Sequence, residues 1–159
     1  MNETIIIYDS FFGNTEKIAQ AMANAISDYV KVDLRKVGEI SPDEIKEVKT
    51  LIIGSPTRKF NISDATVSFL KRIPKNSLSN VRVAAFDTRN TQEELNKYKI
   101  LSWMVKLFGY AAEKISNKLR KLGGNEVIAP QGFYVNGIEG PLVDGELERA
   151  TQWVQQIIK

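Results

Sequence analysis

At 159 residues, 43% hydrophobic and 26% charged, the chain has the size and balance of one soluble globular domain able to bury a full core. It has no cysteine and no histidine, which removes disulfides, thiol nucleophiles, thiolate metal sites and the commonest general base. Any demanding reaction would then rest on a bound cofactor. The net charge of +3 is mild and its basic residues read as scattered among acids, against nucleic-acid binding. No apolar run approaches the ~18 residues of a membrane helix and no signal-peptide pattern opens the chain. A cytoplasmic protein without membrane contact is the expectation.

The first predicted strand, Thr4 to Tyr8, is apolar and ends abruptly in small, hydrogen-bonding residues, Ser10, Gly13, Asn14 and Thr15. Ile18, Met22, Ala25, Ile26 and Tyr29 then recur at helical spacing, with Asn14 or Thr15 as the cap. A strand, tight loop and helix N-terminus in succession form an anion site: N–H groups and hydroxyls gather at the positive end of a helix dipole. Val30 to Val37 alternates apolar and charged residues, as a strand near a sheet edge does.

Ser41-Pro42-Asp43-Glu44 has capping-box spacing and opens a short helix. Thr50 to Ile53 reads as the third strand, running into a loop from Gly54 to Asn61. Ser63 or Asp64 starts a helix with Val67, Phe69, Leu70 and Ile73, stopped by Pro74. Val81 to Phe86 is the fourth strand. Ile100, Trp103, Met104, Leu107 and Phe108 then form a helical stripe within residues 95–108. Such a stripe packs into the core, or forms an added lid or docking surface. A further helix runs from Ala111 through Ile115, Leu119 and Leu122 to Gly123-Gly124. Val127 to Val135 is the last strand, placed on an edge by Pro130 and Gly132. After the loop 136–142, the final helix carries Leu147, Ala150, Val154, Ile157 and Ile158. The alternation predicts a parallel sheet covered on both faces, in a single domain over residues 1–159.

The strand ends separate the doubly wound families. A dinucleotide-binding unit needs G-x-G-x-x-G after the first strand, and here only Gly13 is present. The P-loop lysine is absent. A phosphoacceptor domain needs an aspartate after the third strand and a lysine after the fifth, where this chain has Gly54-Ser55 and Asn136. What the ends do offer is Ser10-x-x-Gly13-x-Thr15, Gly54-Ser55-Pro56-Thr57 and Asp87-Thr88-Arg89.

On those three motifs the chain resembles the flavodoxin family of FMN-binding proteins, over nearly its whole length and of the short-chain kind. The resemblance implies a flavodoxin-like three-layer α/β/α sandwich with a five-stranded parallel sheet, order 2-1-3-4-5, and a ligand at the C-terminal strand ends. It implies that Ser10, Phe11, Phe12, Gly13, Asn14 and Thr15 hold the FMN phosphate. Side-chain contacts are expected from Ser10, Asn14 and Thr15, and close backbone approach from Gly13. Phe12 departs from the family, which usually has a hydroxyl there, and one phosphate contact is lost. The ring would lie between loop three (Pro56, Thr57, Arg58, Lys59, Phe60) and loop four (Asp87, Thr88, Arg89, Asn90). Phe60 or Arg58 would stack on it, unless Phe60 anchors the next helix.

Electron-carrying members are typically acidic, whereas Arg58, Lys59, Arg89, Lys97 and Lys99 surround the expected site. Positive charge there favours the anionic reduced flavin, raises its potential and suits an acidic partner. The resemblance implies an electron carrier between redox partner proteins, a monomer or weak dimer with no catalytic residue and no metal. An FMN-dependent NAD(P)H:quinone-type reductase, or an interaction module that has lost FMN, are the alternatives.

Overall fold

A computed structural model describes residues 3–159. Within it β1 (Thr4–Tyr8) lies between β2 (Val32–Lys36) and β3 (Thr50–Pro56), and β3 pairs with β4 (Arg82–Asn90), all in parallel. Two segments, β5 (Asn125–Glu126) and β6 (Gln131–Val135), share the fifth position beside β4. The order is therefore 2-1-3-4-5, as expected, with the last strand broken. Between its halves Val127 and Ile128 turn into the core, and Pro130 has no N–H to give a ladder.

Side-chain alternation along the buried strands builds two cores. Ile5, Ile7, Leu51, Ile53, Val83 and Ala85 face α2 (Asp64–Arg72) and α5 (Ala111–Lys121), meeting Phe69, Ile115 and Leu119. Ile6, Ile52, Ala84 and Phe86 face α1 (Asn14–Ile26) and α6 (Glu146–Ile157), meeting Ile18, Met22, Trp153 and Val154. Burying each such aliphatic side chain contributes about 1.5–3 kcal/mol. That burial stabilises helices too short to persist alone in water. The first helix ends at Ile26, so Tyr29, expected on its apolar face, lies beyond it and is exposed.

Residues 42–45 form the expected short helix, of 3-10 type, and keep the Ser41–Glu44 capping box. The fourth strand continues past Phe86 to Asn90, because both neighbours supply partners: Gly54, Ser55 and Pro56 pair with Phe86, Asp87 and Thr88, and Gln131–Val135 pairs with Phe86–Asn90. Asp87, Thr88, Arg89 and Asn90 thus stand on a strand, not on a loop.

The apolar stripe after β4 does not pack into the core. It forms α3 (Gln92–Asn96) and α4 (Lys99–Phe108), and no residue of α4 is buried. The sheet face on that side is already filled by α2 and α5, so no core area is left for a third helix. Only Leu95, on α3, reaches the interior. Among the described residues, no helix is long and apolar enough to cross a membrane.

Candidate functional site

The chain leaves β1 toward one edge of the sheet and β3 toward the other, so the loops after them part and leave a crevice. A cleft of about 310 Å³ opens there, at the lower end of the ~300–1,000 Å³ of small-molecule sites.

Loop one forms its first wall. Gly13 takes the left-handed conformation (φ 90°), which lets the chain turn directly into α1. The cap is neither Asn14 nor Thr15, both of which are inside the helix. Ser10 instead stands in from upstream: its Oγ accepts from the N–H of Gly13 (3.1 Å) and of Glu16 (3.3 Å). A hydroxyl has two acceptor sites and one proton. With both acceptor sites used, the Ser10 O–H remains to donate. Among the described residues, the backbone N–H groups of Phe11, Phe12, Asn14 and Thr15 have no acceptor in the protein.

Asn14 and Thr15 turn their side chains to other tasks. The Asn14 amide donates to the Glu139 carbonyl at 3.0 Å, which ties down the loop after β6. The buried Thr15 hydroxyl pairs with that of Thr88 at 2.8 Å, linking loop one to β4. Phe11 and Phe12 are half exposed on the cleft wall. The Arg58 guanidinium lies 4.3 Å from the Phe11 ring centroid and joins loops one and three across the opening.

Loop three is knotted by its own polar groups. Ser55 Oγ accepts from the Ser63 N–H (3.0 Å) and donates to the Pro56 carbonyl (2.9 Å). Thr57 donates its N–H to Thr88 and accepts from the Ala111 N–H. Arg58 and Asn61 exchange two 2.9 Å backbone bonds around Lys59 and Phe60, both at positive φ (48° and 62°). That is a tight reversal for which Asn-Gly is the usual sequence. Lys114 Nζ donates to the Phe60 carbonyl at 2.7 Å and braces it. Phe60 itself lies outside the cleft, so the aromatic rings on its wall are Phe11 and Phe12.

On β4, Asp87 is fully buried and does not reach the cleft. It accepts two bonds from Arg89, 2.7 and 2.8 Å, and one from the Ala112 N–H at 2.9 Å. Burial pushes its carboxyl above the usual range, and the Arg89 and Ala112 bonds oppose that shift. Arg89 also stacks on Tyr110, 3.6 Å from the ring centroid. Its side chain crosses Gly132, where a Cβ would fall 2.0 Å from Nε. Asp87 and Arg89 therefore latch β4 to α5, and the Arg89 charge is already paired.

Arg58 and Lys59, with no salt bridge among the described residues, are the cations left on the cleft wall. Lys97 and Lys99, expected beside it, do not line it.

Sequence reasoning missed one wall. Val135, Gly137 and Ile138 complete the cleft. Asn90 donates to the Gly137 carbonyl at 2.6 Å, and Glu94 accepts the Gly137 N–H at 2.9 Å. The signal was available: the fifth strand neighbours the fourth, so the loop leaving its C-terminal end overhangs the same crevice. Of the expected residues, Ser10, Phe11, Phe12, Asn14, Thr15, Pro56, Thr57, Arg58, Lys59, Thr88, Arg89 and Asn90 converge on the cleft, and Gly13, Phe60 and Asp87 do not touch it.

A family model described as flavodoxin matches residues 6–153. No curated protein sequence matches the chain. Among solved structures, a flavodoxin from the domain Archaea is 21% identical with a TM-score of 0.73, covering 98% of this chain and 95% of that one. The oxidised Flavodoxin 2 of Bacillus cereus is 19% identical with a TM-score of 0.77, covering 97% and 96%. The rubredoxin oxygen:oxidoreductase of Desulfovibrio gigas is 21% identical with a TM-score of 0.75, covering 99% of this chain and 35% of that longer one. At these identities the likeness is one of fold.

Proposed function

The chain belongs to the flavodoxin family, and on that premise we propose that it binds FMN in this cleft and carries electrons between larger redox proteins. The observation that carries this reading is the donor set of loop one. Four N–H groups without a protein acceptor, those of Phe11, Phe12, Asn14 and Thr15, sit with the Ser10 O–H at the N-terminus of α1. A phosphate satisfies all five and opposes the helix dipole, with no lysine or arginine required. Gly13, at φ 90°, makes the turn that gathers these groups.

When bound, FMN supplies reversible electron transfer, which the side chains present cannot provide. The protein's residues hold and tune it. Loop one binds the phosphate, and Thr15–Thr88 and Asn14–Glu139 fix that loop against the opposite walls. Phe11 and Phe12 offer apolar faces to a planar ring. The charges of Arg58 and Lys59 favour the reduced, anionic state and steer an acidic redox partner toward the opening.

The absorption spectrum of the purified protein, before and after adding FMN, tests this. A bound-flavin spectrum and quenched FMN fluorescence are expected. A protein that stays colourless in excess FMN would overturn the reading. Steady-state NAD(P)H oxidation with a quinone by the flavin-loaded protein alone would instead mark a reductase.

A further inference from the structure

The distribution of charge corrects the impression of scattered basic residues. Residues 97–121 hold seven lysines and arginines against one acid, Glu113, while the other 134 residues hold 15 basic and 18 acidic side chains. The whole positive excess of the chain thus belongs to the segment of α4 and α5. From Lys97 to Ala112 there is no carboxylate at all.

Within that segment α4 presents large apolar side chains to solvent. Ile100, Trp103, Leu107 and Phe108 are 67%, 60%, 60% and 49% exposed, and Tyr98 just before them is 60% exposed. Ile100, Trp103 and Leu107 follow the i, i+3, i+7 spacing and share one face. Lys99 and Lys106, seven residues apart, run along its margin, and Lys97 precedes it. None of the three lysines forms a salt bridge among the described residues. A face so exposed marks an interaction site.

The chemistry selects the occupant. The three apolar residues of this face, with Phe108 at its border, offer one hydrogen-bonding group, the Trp103 indole, so the face calls for an apolar environment more than for a polar partner surface. Its charges are all positive, so that environment must be bordered by negative charge. A second copy meeting it about a twofold axis would bring the same lysines together, and α4 itself has no carboxylate to pair them. A nucleic acid would meet the lysines but leave Ile100, Leu107 and Phe108 in water. Tryptophan and aliphatic side chains at acyl-chain depth, with lysines reaching back to the headgroups, are how a helix lies in an anionic lipid surface. At ten residues, α4 is ~15 Å long and can lie in that surface without crossing it.

We propose that α4 docks the protein reversibly on anionic membrane surfaces, with Ile100, Trp103, Leu107 and Phe108 inserted among the acyl chains and Lys97, Lys99 and Lys106 paired with lipid headgroups. The docking helix connects to the cleft through Glu94 of α3, which bonds the Gly137 wall. The proposal does not rest on flavin binding.

Co-sedimentation of the full-length chain with vesicles tests it, using phosphatidylcholine alone and phosphatidylcholine with about one third phosphatidylglycerol. The wild-type protein is expected to bind the anionic vesicles, to ignore the neutral ones and to be released by high salt. Tryptophan emission should shift to the blue on binding, because Trp103 is exposed while Trp153 is already buried. Trp103→Ser with Leu107→Ser, and separately Lys99→Glu with Lys106→Glu, should each weaken binding about tenfold or more. Their thermal midpoints and FMN affinities should match wild type, since the altered side chains are exposed and off the cleft. Absence of binding by the wild-type chain at low salt overturns the proposal, as do variants that bind as well as wild type. Binding to poly-L-glutamate or duplex DNA but not to vesicles, or self-association lost in the Trp103/Leu107 variant, would overturn it in favour of an acidic protein, a nucleic acid or a second copy.

Discussion

Replacing Ser10 by alanine separates the two jobs assigned to its hydroxyl. In the flavin-free protein, Oγ accepts the N–H groups of Gly13 and Glu16 at 3.1 and 3.3 Å. Losing an interaction of the capping type costs about 1 kcal/mol. For a domain of this size that lowers Tm by roughly 2–4 °C. The remaining O–H proton points to a second, larger effect. A hydrogen bond to a charged phosphate contributes about 1.5–3 kcal/mol, so FMN should bind roughly ten- to a hundredfold more weakly. Riboflavin, which lacks the phosphate, should lose only what the loosened loop costs. Urea denaturation without flavin gives the first quantity, and fluorescence-quenching titrations with FMN and riboflavin give the second. FMN affinity within twofold of wild type, or equal weakening for both flavins, would refute the assignment of loop one as the phosphate site.

Gly54→Ala should destabilise the fold by about 1–3 kcal/mol, read from urea midpoints. The new Cβ would fall 2.0 Å from Phe86 Cζ, and Phe86 is held edge-on by Phe133 and Trp153 at 6.1 and 6.2 Å. Adding Phe86→Leu should recover part of the loss. Lys59→Asn should stabilise by about 0.5–1 kcal/mol, because asparagine tolerates the left-handed φ of 48° and the exposed lysine chain forfeits little. Burial and the hydrogen bond to Glu16 push the Tyr8 hydroxyl up to about 12. The folded state then holds that proton where the unfolded state has lost it, so stability should fall as pH rises from 10.0 to about 12. Tyr8→Phe should flatten this alkaline decline in denaturation curves taken across the window.

What was legible in the residues follows from how local each signal is. The Ser10–Thr15 loop could be read because a strand end, Gly13 and a helix start lie within a few positions of one another. Its hydrogen bonds could not. Whether Asn14 faces a ligand or the Glu139 carbonyl depends on a partner 125 residues away. The length of β4 escaped for a similar reason, since Asp87–Asn90 become strand only through β3 and β6. Periodicity marked a helical stripe within 95–108, of which 99–108 is one amphipathic helix and the residues before it belong to α3 and the join. It carries no information about whether a sheet face is vacant, and α2 and α5 had already taken it. Phe60 stayed open between two roles because an aromatic residue beside a strand end looks the same in sequence whether or not its ring lines the cleft.

The broken fifth strand also bears on how copies of this protein meet. An exposed strand edge is a template on which another chain can add, and long flat edges lead to aggregation. One border of this sheet is β5 and β6, of two and five residues, separated by a stretch containing Pro130. The other is β2, only five residues long and carrying Asp33, Arg35 and Lys36. Neither border offers an unbroken apolar ladder to a neighbour. The sheet is thereby insulated from strand-to-strand growth even when the protein is crowded, and association falls to the helical surfaces.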